Sequence, residues 1–171
     1  MDVQIKILLG DITTSDTEAI VNAANTNLLA GSGVCGAIFK AAGYEELQAE
    51  CNKLSPIKTG DAVVTNGYNL KAKYVIHTAG PIYRSQTDAI YLRNSYYNSL
   101  LTAFNNELKS IAFPSISTGI YGYPVDEAAK VAIDTIFEFY NDYPNNTIEE
   151  IIFYLFDHHT YEAFVNEYNS R

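Results

Sequence analysis

With 171 residues, 47% of them apolar and no Pro/Gly/Ser-rich linker, the chain has enough material to bury a full core, and a single domain over 1–171 is expected. Its 11 Lys and Arg against 20 Asp and Glu leave a net charge of −9, which argues against a nucleic acid or an anionic membrane as partner, since both need a basic face. The longest apolar runs fall well short of the roughly 18 residues of a membrane span and the N-terminus lacks a signal-peptide pattern, so a cytoplasmic, monomeric protein is expected.

Val3, Ile5, Ile7 and Leu9 recur with a period of two and predict a strand ending at Gly10-Asp11, with Asp11 on the strand-to-loop edge. Beyond a polar stretch, Glu18-Ala19-Ile20-Val21 reads as a short apolar strand that delivers two amides, Asn22 and Asn25, at its end. Gly31-Ser32-Gly33-Val34-Cys35-Gly36 then sets three glycines in six residues ahead of a helical run to Gly43. Glycine permits positive φ, and a helix that starts there aims its unpaired N–H groups and positive dipole end at one point, which suits a phosphate. Taken alone, the loop also reads as a plain turn and helix start. It is neither a dinucleotide fingerprint, for want of an acidic residue about twenty positions on, nor a P-loop, since Lys40 is not followed by Ser or Thr.

Tyr44 to Lys53 continues as a second helix, with Leu47 and Cys51 on one face and Cys51 a packed core thiol. Lacking a CxxC spacing and a histidine nearby in sequence, Cys35 and Cys51 read as free thiols, and no metal site is expected. Ala62 to Thr65 and Lys73 to Ala79 are buried strands, the latter closed by Gly80-Pro81 and carrying His77 as a core group. Asp88 to Leu108 reads as a long helix with Leu92, Tyr96, Leu100, Phe104 and Leu108 four apart. The strand from Ser110 leaves its ladder near Pro114 and enters Ser117-Thr118-Gly119-Ile120-Tyr121-Gly122, a second glycine-bracketed loop, and two such loops can hold a diphosphate between them.

Pro124 opens a helix with the apolar stripe Val125, Ala128, Ala129, Ala132, Ile133, Ile136, Phe137 and Tyr140. Ile148 to Phe156 is a nearly all-apolar strand, and His158 to Tyr168 a last helix with Tyr161, Phe164, Val165 and Tyr168 inward, its two histidines read as solvated caps. Strands alternating with helices predict a three-layer α/β/α sandwich, with a mixed sheet because some connections are too short for a parallel crossover.

Gly10-Asp11-Ile12-Thr13, Asn22-Ala23-Ala24-Asn25, Gly31-Ser32-Gly33-Val34, Val75-Ile76-His77-Thr78-Ala79-Gly80-Pro81 and Ser117-Thr118-Gly119-Ile120-Tyr121-Gly122 together resemble the macrodomain family, almost end to end. The nearest pattern is the subgroup that removes ADP-ribose from proteins or deacetylates O-acetyl-ADP-ribose. The resemblance implies hydrolysis of an ester bond on the distal ribose, no cofactor, and ADP-ribose, its derivatives and ADP-ribosylated proteins as partners. It implies that Asp11 accepts from the adenine amino group beside the Ile12 N–H, with Phe156 against the ring. Ser32, Gly33, Val34, Cys35 and Gly36 would form one phosphate loop, and Ser117, Thr118, Gly119, Ile120 and Tyr121 the other. Asn25 would orient the distal ribose beneath Tyr121, which makes Asn25 and Cys35 the candidate catalytic residues.

The pattern departs from the subgroup at two positions: Cys35 stands where Asp is usual and Phe39 where His is usual. Alphavirus macrodomains, counted as ADP-ribosyl hydrolases, have a similar Gly-Val-Cys segment, which implies catalysis by substrate phosphate and an ordered water. A non-catalytic ADP-ribose reader is the alternative. A Cys35 thiolate nucleophile at a helix N-terminus ranks below both, because no base is evident.

Overall fold

The computed structural model describes residues 2–171. Along them run β1 (Gln4–Leu9), β2 (Ala19–Ala24), α1 (Gly33–Ala42), α2 (Tyr44–Leu54), β3 (Ala62–Asn66), β4 (Tyr74–Ala79), α3 (Ala89–Asn105), β5 (Ser110–Phe113), α4 (Val125–Asp142), β6 (Glu150–Leu155) and α5 (His158–Asn169). The strands form one sheet in the order β1-β6-β5-β2-β4-β3. Neighbours are parallel except β3, which runs antiparallel to β4 at one edge. The link 67–73 between those two is too short to cross the sheet, so the sheet is mixed, as the connection lengths predict.

Alternate residues of the apolar strands serve opposite faces. Ala19, Val21, Ile76, Ile111, Phe113, Ile151 and Phe153 pack under α3, α4 and α5, while Ile20, Val75, Ala112 and Ile152 pack under α1 and α2. This is the expected three-layer α/β/α arrangement. On the α3–α5 side, Tyr96, Phe113, Phe153 and Phe164 form a run of ring contacts with centroids 5.2–5.6 Å apart. Such contacts each add about 0.5–1.5 kcal/mol beyond the area they bury.

Several element limits differ from the sequence reading. Helix α3 stops at Asn105, not Leu108: Glu107 takes φ 58° and turns the chain, leaving Leu108 buried beyond the helix end. Leu9 is exposed because β1 is an edge strand, and Phe137 is exposed because α4 turns Phe139 inward instead. In α5 only Thr160, Ala163 and Phe164 are fully buried; Tyr161, Val165 and Tyr168 are half-buried at the margin. The last strand begins at Glu150, so Ile148 fills the core ahead of it and Phe156 lies past its end.

Candidate functional site

The parallel strands β2, β4, β5 and β6 deliver their C-terminal ends to one side of the sheet, and there a cavity of about 380 Å³ opens. Crevices outside the carboxyl ends of strands are where open α/β sheets bind ligands. One wall is the loop before α1. Gly33 takes φ 59°, and Ser32, although it occupies the N-cap, makes no side-chain hydrogen bond to the helix. The first intrahelical bond runs from the Gly36 N–H to the Ser32 carbonyl (3.2 Å), so the N–H groups of Gly33, Val34 and Cys35 have no acceptor within the helix. Gly36 is needed for space: a side-chain carbon there would lie 2.5 Å from the Gly31 carbonyl oxygen. The loop is propped from α2 by Gln48, which accepts from the Ala30 N–H and donates to the Leu28 carbonyl, both at 2.9 Å.

The facing wall is the segment from Ser115 to Tyr121. It is tied down at both ends, with the Ile116 N–H donating to the buried Tyr96 hydroxyl (3.1 Å) and the Tyr83 N–H to the Tyr121 carbonyl (2.9 Å). Its bend closes on itself through Gly122 N–H to Gly119 O (3.0 Å) and Tyr123 N–H to Ser117 O (2.9 Å). Ser117 takes φ 68°, an unfavourable region for a non-glycine residue, and its buried hydroxyl has no hydrogen-bond partner among the described residues. Gly80, at the end of β4, makes room for it, since a side-chain carbon there would collide with Ser117 Oγ and Ile116.

A family model for the macro domain matches residues 21–132. The chain belongs to the macrodomain family. It is 48% identical to an uncharacterized protein of Fusobacterium nucleatum, over 96% of this chain and 94% of that one. It is also 47% identical to the ADP-ribose glycohydrolase MACROD2 of Xenopus laevis, with 96% of this chain aligned to 40% of that protein. Among solved structures it is similar to the Oceanobacillus iheyensis macrodomain with ADP (TM-score 0.92, 39% identity, 99% and 92% of the two chains). It is likewise similar to the Trypanosoma brucei macrodomain in complex with ADP-ribose (TM-score 0.88, 36% identity, 95% and 68%).

This macrodomain brings together Asn25, Ser32, Gly33, Val34, Cys35, Ser117, Thr118, Gly119, Ile120, Tyr121 and Phe156 around the one cavity. Gly36 stands just behind the loop. Phe156 is 73% exposed at the rim, a large ring left uncovered at a strand end. Asp11 and Ile12 do not line the cavity. They follow β1, one strand beyond β6, where the Asp11 carboxylate accepts from the Thr13 N–H (2.9 Å) and hydroxyl (2.8 Å) to cap a 3₁₀ turn and Ile12 is buried. The Asn25 amide is held on both sides by Leu29, accepting from its N–H (3.0 Å) and donating to its carbonyl (2.8 Å). The sequence reading passed over Ser115, Tyr154, Asp157 and Thr160, which also line the cavity. The signal for the first three is their position at or just past strand ends, and Thr160 follows in the first turn of α5.

Behind the first loop lies a buried polar chain that joins three strands to α1. Asn22 Nδ2 meets His77 Nδ1 at 3.1 Å and donates to Cys35 Sγ at 3.6 Å, while His77 Nε2 meets the Thr65 hydroxyl at 2.9 Å. Because the amide is a donor, Nδ1 accepts and Nε2 carries the proton, which fixes the neutral tautomer. Burial lowers the His77 pKa to about 4, with the charge of Glu50 opposing the shift. Cys51 Sγ is 3.8 Å from His77 Nε2, and burial, with the charges of Cys35 and Glu50, pushes that thiol up to about 12. Cys51 therefore has a histidine beside it, although none is near it in the sequence. The histidine comes from β4 and was invisible at a separation of 26 residues.

Proposed function

We propose that this macrodomain binds ADP-ribose across the cavity and hydrolyses an ester bond on the distal ribose, releasing ADP-ribose from modified protein carboxylates or deacetylating O-acetyl-ADP-ribose. The observation that carries the reading is the pairing of two walls across one cavity, the uncapped N-terminus of α1 and the segment Ser115 to Tyr121. Backbone N–H groups on such walls cradle a diphosphate without lysine or arginine, which reconciles an anionic ligand with a net charge of −9. The structures with ADP and ADP-ribose and the glycohydrolase relative support the same ligand.

In this reading Phe156 stacks on the adenine, and Asp11, beside it on the neighbouring strand end, meets the adenine edge. The Ser117 hydroxyl finds a phosphate oxygen as its missing partner. Asn25, oriented by Leu29, keeps one N–H and one lone pair for the distal ribose hydroxyls. Water adds to the ester carbonyl, the ester C–O bond breaks, and the ribose oxygen leaves with a proton. Cys35 does not serve as base or nucleophile. Its thiol donates to the Leu29 carbonyl at 3.6 Å, and the Asn22 amide stands between it and His77. The ordered water is activated by the substrate's own phosphate.

The test is to incubate O-acetyl-ADP-ribose, and separately a mono-ADP-ribosylated protein, with the macrodomain and follow release by mass spectrometry, with calorimetry of ADP-ribose and AMP alongside. ADP-ribose binding well above AMP, together with release, is expected. Absence of heat and of any thermal shift with ADP-ribose removes the reading. The alternative, a non-catalytic reader, is favoured by the absence of a base at Cys35, and binding without release would establish it.

A further inference from the structure

A second cleft, of about 570 Å³, adjoins the first and shares Gly80 and Tyr121 with it. It begins at Thr26, the residue after Asn25, so it opens from the end of the cavity assigned to the distal ribose. Lys58 and Arg84 both line it, and neither forms an ion pair among the described residues. The acidic groups at hand are engaged by backbone N–H groups, and Asp88, whose carboxylate feels the charge of Arg84, forms no ion pair with it. Asp88, also in the lining, accepts from the Arg84 and Ser85 N–H groups at 2.7 and 3.1 Å, and Asp61 from the Lys58 N–H at 3.0 Å. Ile82 and Tyr91, 47% and 45% exposed, give the same cleft an apolar side.

We propose that this cleft is the subsite for the group to which ADP-ribose is attached, and that it takes an acidic peptide segment flanking the modified carboxylate. The inference rests on the first cavity being the ADP-ribose site. Two unpaired cations at the mouth of a site, in a protein carrying −9 overall, attract carboxylates that the rest of the surface repels. Ile82 and Tyr91 supply contact area for the peptide's apolar atoms, and the hydroxyls of Thr26 and Thr59 offer donors to its backbone. Specificity is then set beyond the nucleotide: ADP-ribose on a glutamate among other acidic residues is preferred over the same group in a neutral context.

The experiment compares calorimetric affinities for four probes: free ADP-ribose, an ADP-ribose dimer, and two peptides carrying ADP-ribose on glutamine, an amide in place of glutamate's more labile ester, one with glutamates on both sides and one with serines. The native protein should bind the acidic peptide about three- to tenfold more tightly than the neutral one, the scale of two solvent-exposed ion pairs. Raising the salt concentration should shrink that ratio toward one. The double variant Lys58→Ala, Arg84→Ala should bind both peptides alike and free ADP-ribose as the native protein does. Equal affinity of the native protein for the two peptides, or loss of free ADP-ribose binding in the variant, overturns the proposal. Tighter binding of an ADP-ribose dimer than of the acidic peptide overturns it too and assigns the cleft to a second nucleotide unit. Failure of the native protein to bind free ADP-ribose would instead strike the reading of the first cavity.

Discussion

Lowering the pH should destabilise this macrodomain through His77 in a window that can be calculated. The imidazole is fully buried between Asn22 and Thr65, and its pKa is about 4, against 6.5 for the ordinary group. The folded-state value is depressed, so between pH 6.5 and 4 the unfolded chain binds a proton that the folded chain refuses. Stability is present above the unfolded pKa and drains away as the pH falls toward the folded one. Integrating the linkage gives a loss of about 1 kcal/mol between pH 7 and 5.5 and about 2–3 kcal/mol between pH 7 and 4.5. The assay is urea unfolding at a series of pH values for the native protein and His77→Gln. The variant shares the protein's 20 carboxylates but lacks the imidazole, so subtracting its pH profile isolates the histidine. A difference curve that is flat from pH 7 to 4.5 would refute the reasoning, as would an NMR titration in which the His77 ring moves with a midpoint near 6.5.

Phe156→Ala should weaken ADP-ribose binding by about 1–3 kcal/mol, the scale of base stacking on an aromatic ring, with little change in stability because the side chain is 73% exposed; calorimetry and thermal melting read the two, and unchanged affinity would place the adenine elsewhere. Gly80→Ala should cost at least about tenfold in ADP-ribose affinity, because the added methyl collides with Ser117 Oγ and Ile116 and forces the second loop to move; native affinity would show that the loop's position is not what binds. Cys35→Ala should keep most turnover of O-acetyl-ADP-ribose, since it leaves every backbone N–H in place; complete loss with binding intact would restore the thiolate mechanism. Cys35→Asp should raise turnover by setting a carboxylate beside the attacking water, and turnover that stays level while affinity holds would show that a missing base is not the limit.

Most of the fold and both loops were legible in the sequence because their causes are local. Apolar runs of strand and helix period and a proline after β5 restrict the backbone within a few residues, while clustered glycines open conformations closed to other residues, as Gly33 at φ 59° shows. The short link between β3 and β4 was enough to require an antiparallel edge. What the local signals do not contain is which strand lies beside which. The order β1-β6-β5-β2-β4-β3 sets Asp11 on the strand beside that of Phe156, next to the cavity's rim instead of in its lining, though both stand at strand ends in the sequence. The same order sets β4 against β2 and so joins Asn22 to His77 across 55 residues, making one of the two amides of that segment the buried link between a histidine and Cys35. The second cleft arises in the same way, from Lys58 and Arg84, 26 positions apart, brought together where β4 ends. Hydrophobic periodicity selects the face of each element, but the partner across that face is chosen by the packing of the whole sheet, which no single segment encodes.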